Sequence, residues 1–454
     1  MAQALLDFHR WLNGLIWGWA MIVVLLGVGL YLTVLTRGVQ FRKLGFALRE
    51  VLGKAFKKGR GEGTVSPFQA VATALASTVG VGNIAGVATA IFLGGPGALF
   101  WLLVSGILGM CTKFVEVAVS LRYRQPDETG TMRGGAMYVL SRGLGMPWLG
   151  TTFALLTATA AFGIGNMVQA NSVSQAIFST FNIPTWVSGI AIAVLTALVI
   201  LGGIRRIAEV TQILVPFMCI TYLLAGLFVL VTHITDVPRI LSLVLGSAFS
   251  GYAAVGGFGG AVVRDTIRYG VARGLFSNEA GLGSAPMAHA AAVTDHPVRQ
   301  AVYGIFEVFV DTILVCTTTG FVILATDTWH SGLTGAALSA KAFETGLPGV
   351  WGDVVITIAL LTFAFSTLIG WSWYGETAAV YLLGAKVALP YRVLWVILAY
   401  FGAVGSLHLM WDVADTLNGL MAIPNLIAVL ACSRLIVQMQ KEFFSTARKE
   451  AGKS

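Results

Sequence analysis

Apolar stretches of about twenty residues recur along almost the whole chain, each long enough to cross the hydrocarbon core of a bilayer as a helix. Short turns rich in glycine, proline and charge separate them. Breaking the chain at those turns predicts about eleven helices. They fall at 11–35, 66–93, 97–121, 147–180, 184–202, 205–232, 251–290, 298–325, 350–383, 390–407 and 413–438, the seventh of them interrupted. The first is too long for the apolar region of a signal peptide, and the strong run of basic residues follows it rather than precedes it, so it reads as a retained span. Between the first two spans, 38–58 alternates basic residues with Phe41, Leu44, Phe46, Leu48, Val51, Leu52 and Phe56. That pattern predicts a helix lying on the membrane surface.

Composition agrees. Hydrophobic residues make up 56% of the 454 and charged residues 11%, less than half the charge of a soluble protein. The chain is therefore expected to be an all-α polytopic membrane protein. A net charge of +8 would suit a nucleic-acid partner only if it were clustered for one. Instead the basic residues occupy alternate loops: Arg37 to Arg60, then Arg122, Arg124, Arg133 and Arg142, then Arg205 and Arg206, then Arg299, Lys386, Arg392 and the tail from Arg434. This is the positive-inside pattern. It predicts an outside N-terminus and a cytoplasmic C-terminus. Arg264, Arg268 and Arg273 depart from it and are read as an amphipathic helix on the outer surface, with a basic vestibule as the second reading. Cys111, Cys219, Cys316 and Cys432 lie far apart in apolar runs, where thiols act as packing residues.

Two spans are interrupted, one by TVGVGNIAG at 78–86 and one by GLFSNEAGLGSAP at 274–286. With the first span set aside, the other ten divide into five and five. An odd count inverts the second set, and each set opens on its interrupted helix. Broken helices at matching places of inverted halves mark the binding site of a secondary carrier. The break leaves N–H groups free on one stub and C=O groups on the other. Hydrocarbon cannot satisfy them, but a bound solute can. The positive stub end suits a carboxylate, and the carbonyl end suits a cation or an ammonium. Close helix packing at Gly82 and Gly86 is the competing reading, but packing glycines need no Asn83, Asn278 or Glu279 beside them. GVGNIAG lacks both the spacing and the βαβ setting of a dinucleotide site.

ALASTVGVGNIAGVATA, GGPGALFW, GNMVQANS, GVARGLFSNEAGLGSAP and STLIGWSWYGE resemble the alanine or glycine:cation symporters, the sodium:alanine symporter family, from Pro67 to about Asn425. The resemblance implies a single transporter domain over 1–454 of LeuT-type architecture. It has an extra N-terminal helix at 11–35, a first five-helix repeat at 66–232 and a second, inverted repeat at 251–438. It also implies a sodium-driven carrier of alanine and glycine in a prokaryotic inner membrane, not an enzyme. The residues alone give a secondary carrier with a mid-membrane site for a small polar or zwitterionic solute. A proton-coupled carrier, or a carrier of serine or glutamine, is the alternative, and a solute channel is the rival from another class. HExxH and GxSxG are both missing from the sequence.

The substrate carboxylate is expected at the N–H groups of Gly82 and Asn83, with Thr78 and the Asn83 side chain adding hydrogen bonds. Asn83 has a second possible role, holding the break together. Phe276, Ser277 and Asn278 line the other break, Phe276 as wall or lid. Gly163, Asn166 and Gln169 share a helical face by their spacing. Gln169 is taken for substrate contact, and Asn166 equally for contact between helices. Thr367 and Trp371 also share a face, and Trp371 is expected to limit side-chain size. Carried over from the LeuT-type arrangement, sodium would be held by the carbonyls of Ala76 and Val79 and the hydroxyls of Ser366 and Thr367. No carboxylate is assigned to this group, which favours sodium over protons. Lys113 and Glu116 are expected to neutralise each other, Glu279 to brace the second break, and His289 and His296 to lie at the surface.

Overall fold

The computed structural model describes residues 11–451, apart from 12, 56, 58, 251–258 and 406–407. Helix α1 (Trp19–Leu35) is followed by the interfacial α2 (Val39–Gly53). A capping box starts α3 (Pro67–Thr78): Ser66 Oγ accepts from the Gln69 N–H at 3.2 Å, Gln69 Oε1 accepts from the Ser66 N–H at 2.9 Å, and Pro67 takes the first position. At Val79 the backbone turns extended, with ψ 94°. The chain resumes as α4 (Gly82–Gly94), bent by 50° from α3.

Next come α5 (Ala98–Tyr123), a short antiparallel pair of β1 (Gln125–Pro126) and β2 (Met132–Arg133), α6 (Pro147–Phe181), α7 (Thr185–Ile200) and α8 (Gly203–Thr232). After α9 (Val237–Ser250), α10 (Gly259–Asn278) runs into the second break, and α11 (Pro286–Ala290) resumes beyond it. Then follow α12 (Pro297–Ala325), α13 (Gly335–Gly346), α14 (Trp351–Leu383), α15 (Ala388–Val404), α16 (His408–Ala431) and α17 (Ser433–Ala451).

Among the described residues seven helices are long and apolar enough to cross a membrane, and two bent pairs bring the number to nine. The shorter α7 and the broken α10/α11 supply the remaining two of the eleven expected spans. The outer faces are apolar; on α8 alone Ile213, Phe217, Ile220 and Leu224 are exposed. Such faces are stable against lipid and not against water. The arginine-bearing segment at 264–273 is no separate surface helix but part of α10, continuous with the second break.

The last span ends earlier than its apolar pattern suggests. A bend of 57° separates α16 from α17. Beyond the bend Arg434, Gln438, Gln440, Lys441 and Glu442 interleave with apolar residues, and an amphipathic helix of that kind lies along the interface.

On the face that carries the basic loops, the segments flanking the two breaks are tied together. Val65 bridges to Ala292 and Glu62 to Thr294. Arg124 fastens this junction, donating to the carbonyls of Ala290 (2.9 Å), Ala292 (2.6 Å) and Glu62 (2.7 Å). Beside it Arg133 donates to Asp127 at 2.7 Å and to Glu376 at 2.9 Å, and Arg392 donates to the same Glu376 at 2.7 Å. The Arg133 guanidinium also lies 4.5 Å from the Trp373 ring centroid.

Candidate functional site

The two breaks meet at the centre of the bundle. A Cβ on Gly82 would lie 3.6 Å from the Phe276 ring and 4.0 Å from the Ser277 Cα, so one broken helix rests directly on the other. The cavity between them is lined by Ser77, Thr78, Gly80, Val81 and Gly82 from the first break and by Phe276, Ser277 and Glu279 from the second. Helix α6 contributes Ile164 and Gln169, α14 contributes Thr367 and Trp371, and α16 contributes Asn418. The cavity holds about 30 Å³, far less than an open ligand pocket, so its walls stand close together around the crossing.

Three helices take a wider π-type turn around this point: α4 at Gly82–Gly86, α6 at Ala161–Met167 and α12 at Phe309–Cys316. Such turns free backbone groups and re-aim side chains, and they concentrate at functional sites. At the second break Glu279 adopts a left-handed backbone (φ 54°), followed by Gly281 (φ 95°) and Gly283 (φ 80°). Gly283 also lies against the Asn425 side chain, where a Cβ has no room.

Two amide oxygens in the cavity wall are unsatisfied. Gln169 donates its Nε2 to the Ile164 carbonyl at 3.0 Å, while its Oε1 is buried and has no partner among the described residues. Asn418 Oδ1 is in the same position. A buried acceptor without a donor is costly, and a ligand ammonium would relieve both. Trp371 is held in place by its indole N–H, which donates to Glu279 Oε1 at 2.9 Å. The other Glu279 oxygen accepts from Ser284 at 2.5 Å. Glu279 thus braces the break, as expected, and also forms part of the cavity wall.

Of the nine expected substrate residues, Thr78, Gly82, Gln169, Phe276, Ser277, Thr367 and Trp371 line the cavity. Asn83 and Asn278 stand behind it. Asn83 Oδ1 accepts from the Gly80 N–H at 2.8 Å, and its Nδ2 donates to Asp311 Oδ1 at 2.7 Å. Asn278 Oδ1 accepts from the Ala280 N–H at 3.0 Å, and its Nδ2 donates to the Thr312 hydroxyl at 3.1 Å. Each amide replaces backbone partners lost at its break, which is the bracing role.

No carboxylate was assigned to the ligand set, and one stands directly behind the cavity wall. Asp311 is fully buried and takes hydrogen bonds from Asn83, from the Ser277 hydroxyl (3.1 Å) and from the Thr312 hydroxyl (2.8 Å). Asp311 follows Glu307 by four residues, a spacing that a regular helix would put on one face. The π-type turn at Phe309–Cys316 breaks that regular spacing and aims Asp311 at the breaks.

On the carbonyl side, Ser366 Oγ lies 3.4 Å from the Val79 carbonyl oxygen, and Thr367 Oγ1 faces Gly80 where a side chain would otherwise stand. Both hydroxyls donate to the Phe363 carbonyl, at 2.9 and 3.0 Å. With their protons so engaged, their lone pairs remain for a cation. This hard oxygen set fits sodium. Ala76 is buried one turn back on α3.

Other buried charges pair differently from the expectation. Lys113 lies 3.3 Å from Glu307, not against Glu116. Glu116 instead accepts from the Gly281 N–H at 3.0 Å and from Asn425 at 2.5 Å. His289 is fully buried, 2.8 Å from Glu307 and 3.0 Å from Gln300. Asn166 donates to the Trp395 carbonyl at 2.8 Å, the contact between helices. The four cysteines are free and buried.

A family model described as the sodium:alanine symporter family matches residues 2–454. The chain is 47% identical over 447 residues to the sodium/alanine symporter AgcS of Methanococcus maripaludis, with 97% of each chain covered. It is 39% identical over 444 residues to the probable sodium/glutamine symporter GlnT of Bacillus subtilis, covering 97% of this chain and 91% of that one. Among solved structures, MhsT in complex with L-phenylalanine is similar at a TM-score of 0.59 and 14% identity, over 82% of this chain and 90% of that one. At such identity the likeness concerns the fold alone, the LeuT-type architecture.

Proposed function

The chain belongs to the sodium:alanine symporter family, and from that membership we propose that it carries a small neutral amino acid, alanine or glycine, into the cell together with sodium. The observation that supports this most directly is the polar cavity at the crossing of the two breaks, with the unsatisfied acceptors Gln169 Oε1 and Asn418 Oδ1 in its wall. In this reading the substrate carboxylate meets the Gly82 N–H at the start of α4, while the Asn83 N–H, expected beside it, donates instead to the Gly80 carbonyl at 3.1 Å. Thr78 and Ser277 add hydroxyls. The ammonium is taken by Gln169 and Asn418, and Phe276 and Trp371 enclose the side chain. Asn83 and Asn278 hold the breaks in shape.

Sodium sits on the carbonyls of Ala76 and Val79 with the hydroxyls of Ser366 and Thr367. The helices bearing the breaks then rock against the rest, and the cargo leaves inward. In this reading the exit is cytoplasmic, the N-terminus outside, the C-terminus inside and the location the inner membrane, and the alternation of basic loops supports that sidedness.

Asp311 and Glu279 favour a second reading, coupling to protons, because each places a titratable group at the breaks. Proteoliposome uptake of labelled alanine separates the two. An imposed inward sodium gradient should drive accumulation, and a proton gradient alone should not. Accumulation that follows the proton gradient and ignores sodium would overturn sodium coupling. Serine and glutamine belong in the same competition panel, and counterflow exchange distinguishes a carrier from a channel.

A further inference from the structure

We propose that the groove between the end of α1, the start of α2 and α17 binds the headgroup of an anionic glycerophospholipid. The groove is open, about 440 Å³, and lies on the face that carries the basic loops. Arg37, Arg42, Lys43 and Lys441 line it, and no carboxylate does. Among the described residues no acidic side chain pairs with Arg37, Arg42 or Lys441. Arg37, Arg42 and Lys441, gathered around one concavity, repel each other unless an anion joins them.

The depth of the groove identifies that anion as a lipid. Helix α1 ends its apolar span at Leu35, and Val34 is 71% exposed, facing the acyl chains. Arg37 follows within one turn, so the cations stand at headgroup level. The chain turns sharply there: Arg37 and Gly38 both take left-handed backbones (φ 57° and 64°), and the Gly38 N–H closes onto the Thr33 carbonyl at 2.7 Å. Left-handed conformation is unfavourable for an arginine, and here it places Arg37 at the rim of the groove.

The opposite wall is fixed as well. Gln440 donates to the Thr36 carbonyl at 3.3 Å, and Phe46 of α2 packs edge-on against Phe443 and Phe444 of α17. Lys43 lies 4.0 Å over the Phe444 ring. Leu35, Val437 and Phe444 give the groove an apolar side, along which an acyl chain can leave while its phosphate meets the cations. Basic pockets between membrane helices recognise anionic headgroups in this way.

The test is native mass spectrometry of the purified full chain with phosphatidylglycerol, phosphatidylcholine or inorganic phosphate. The wild type should retain phosphatidylglycerol in preference to phosphatidylcholine. Each cation near an anionic surface is worth about fivefold in affinity, so the double variant Arg42→Gln/Lys441→Gln should lose about 30-fold of that preference. The charge-conserving Arg42→Lys/Lys441→Arg should keep it. The wild-type preference should also fall as salt rises, a readout that does not depend on how the variants fold. Equal retention of both lipids, an unchanged preference in the neutral double variant, or displacement of the lipid by inorganic phosphate would each overturn the proposal.

Discussion

At the scale of single residues, the informative atoms are those without partners. Gln169 is anchored through its Nε2 and presents a bare Oε1 to the cavity. Gln169→Leu keeps approximate volume and removes that acceptor. A hydrogen bond to a charged group contributes about 1.5–3 kcal/mol, so alanine affinity should fall about 10- to 100-fold. Equilibrium binding of labelled alanine to detergent-purified variant checks this, and an unchanged affinity would remove Gln169 from the ammonium site. Asp127 makes a different kind of residue-scale statement. Burial alone raises its pKa, but hydrogen bonds from Arg133 and Thr129 outweigh burial and bring it below the ordinary aspartate value. A carboxylate depressed in the folded state contributes stability above its unfolded pKa of about 3.9 and loses it as pH falls through the folded value. Thermal midpoints between pH 7 and pH 3 should therefore drop in the acid limb for the wild type. Asp127→Asn should have a lower midpoint at neutral pH and a flatter acid limb.

At the scale of elements, the close approach of α6 to α14 fixes where the Trp371 indole stands in the cavity wall. Gly165 abuts Trp371, and any Cβ there would collide with the indole. Gly165→Ala must either separate the helices, an overpacking cost of about 1–3 kcal/mol, or push the indole into the cavity. The second route takes space from the substrate side chain and none from its backbone groups. Alanine uptake should then suffer more than glycine uptake, read as the ratio of their kcat/KM values; an equal loss for both would mean that Trp371 does not set the size limit. This element level also separates what the sequence makes legible from what it hides. The breaks were legible because glycine, asparagine and glutamate interrupt apolar runs, and hydrocarbon tolerates that only around a site. Helical spacing put Thr367 with Trp371 and Gln169 with Asn166 on shared faces, and the family resemblance turned the first of those faces toward the site. Partners between spans were not: spacing nominated Glu116 for Lys113, but the fold brings up Glu307 from α12. Asp311 was hidden because a π-type turn shifts the face that regular spacing assigns. Asn418 was a polar residue in an apolar span with no motif around it, and only the packing of α16 shows it in the cavity wall.

At the scale of the whole molecule, the two halves of the proposed site share one short stretch of backbone. The proposed cation set uses Val79, with the hydroxyls of α14 beside it, and the proposed carboxylate set begins at Gly82, three residues later. Asn83 spans the interval by accepting from the Gly80 N–H. Whatever orders the carbonyl end therefore also orders the N–H end, and a ligand on either pays part of the ordering cost for both. Coupling of this origin is reciprocal by necessity. Sodium should raise alanine affinity by some factor, about 5- to 150-fold for typical coupling energies, and alanine should raise sodium affinity by the same factor. Titrating each ligand at zero and saturating levels of the other, on one preparation, measures both factors. Equal factors above one support coupling through the shared break. Alanine affinity that is indifferent to sodium would separate the two sites, and the sodium dependence of transport would then have to arise in the rocking step, where the Arg133–Glu376–Arg392 cluster joins the strand pair after α5 to α14 and α15.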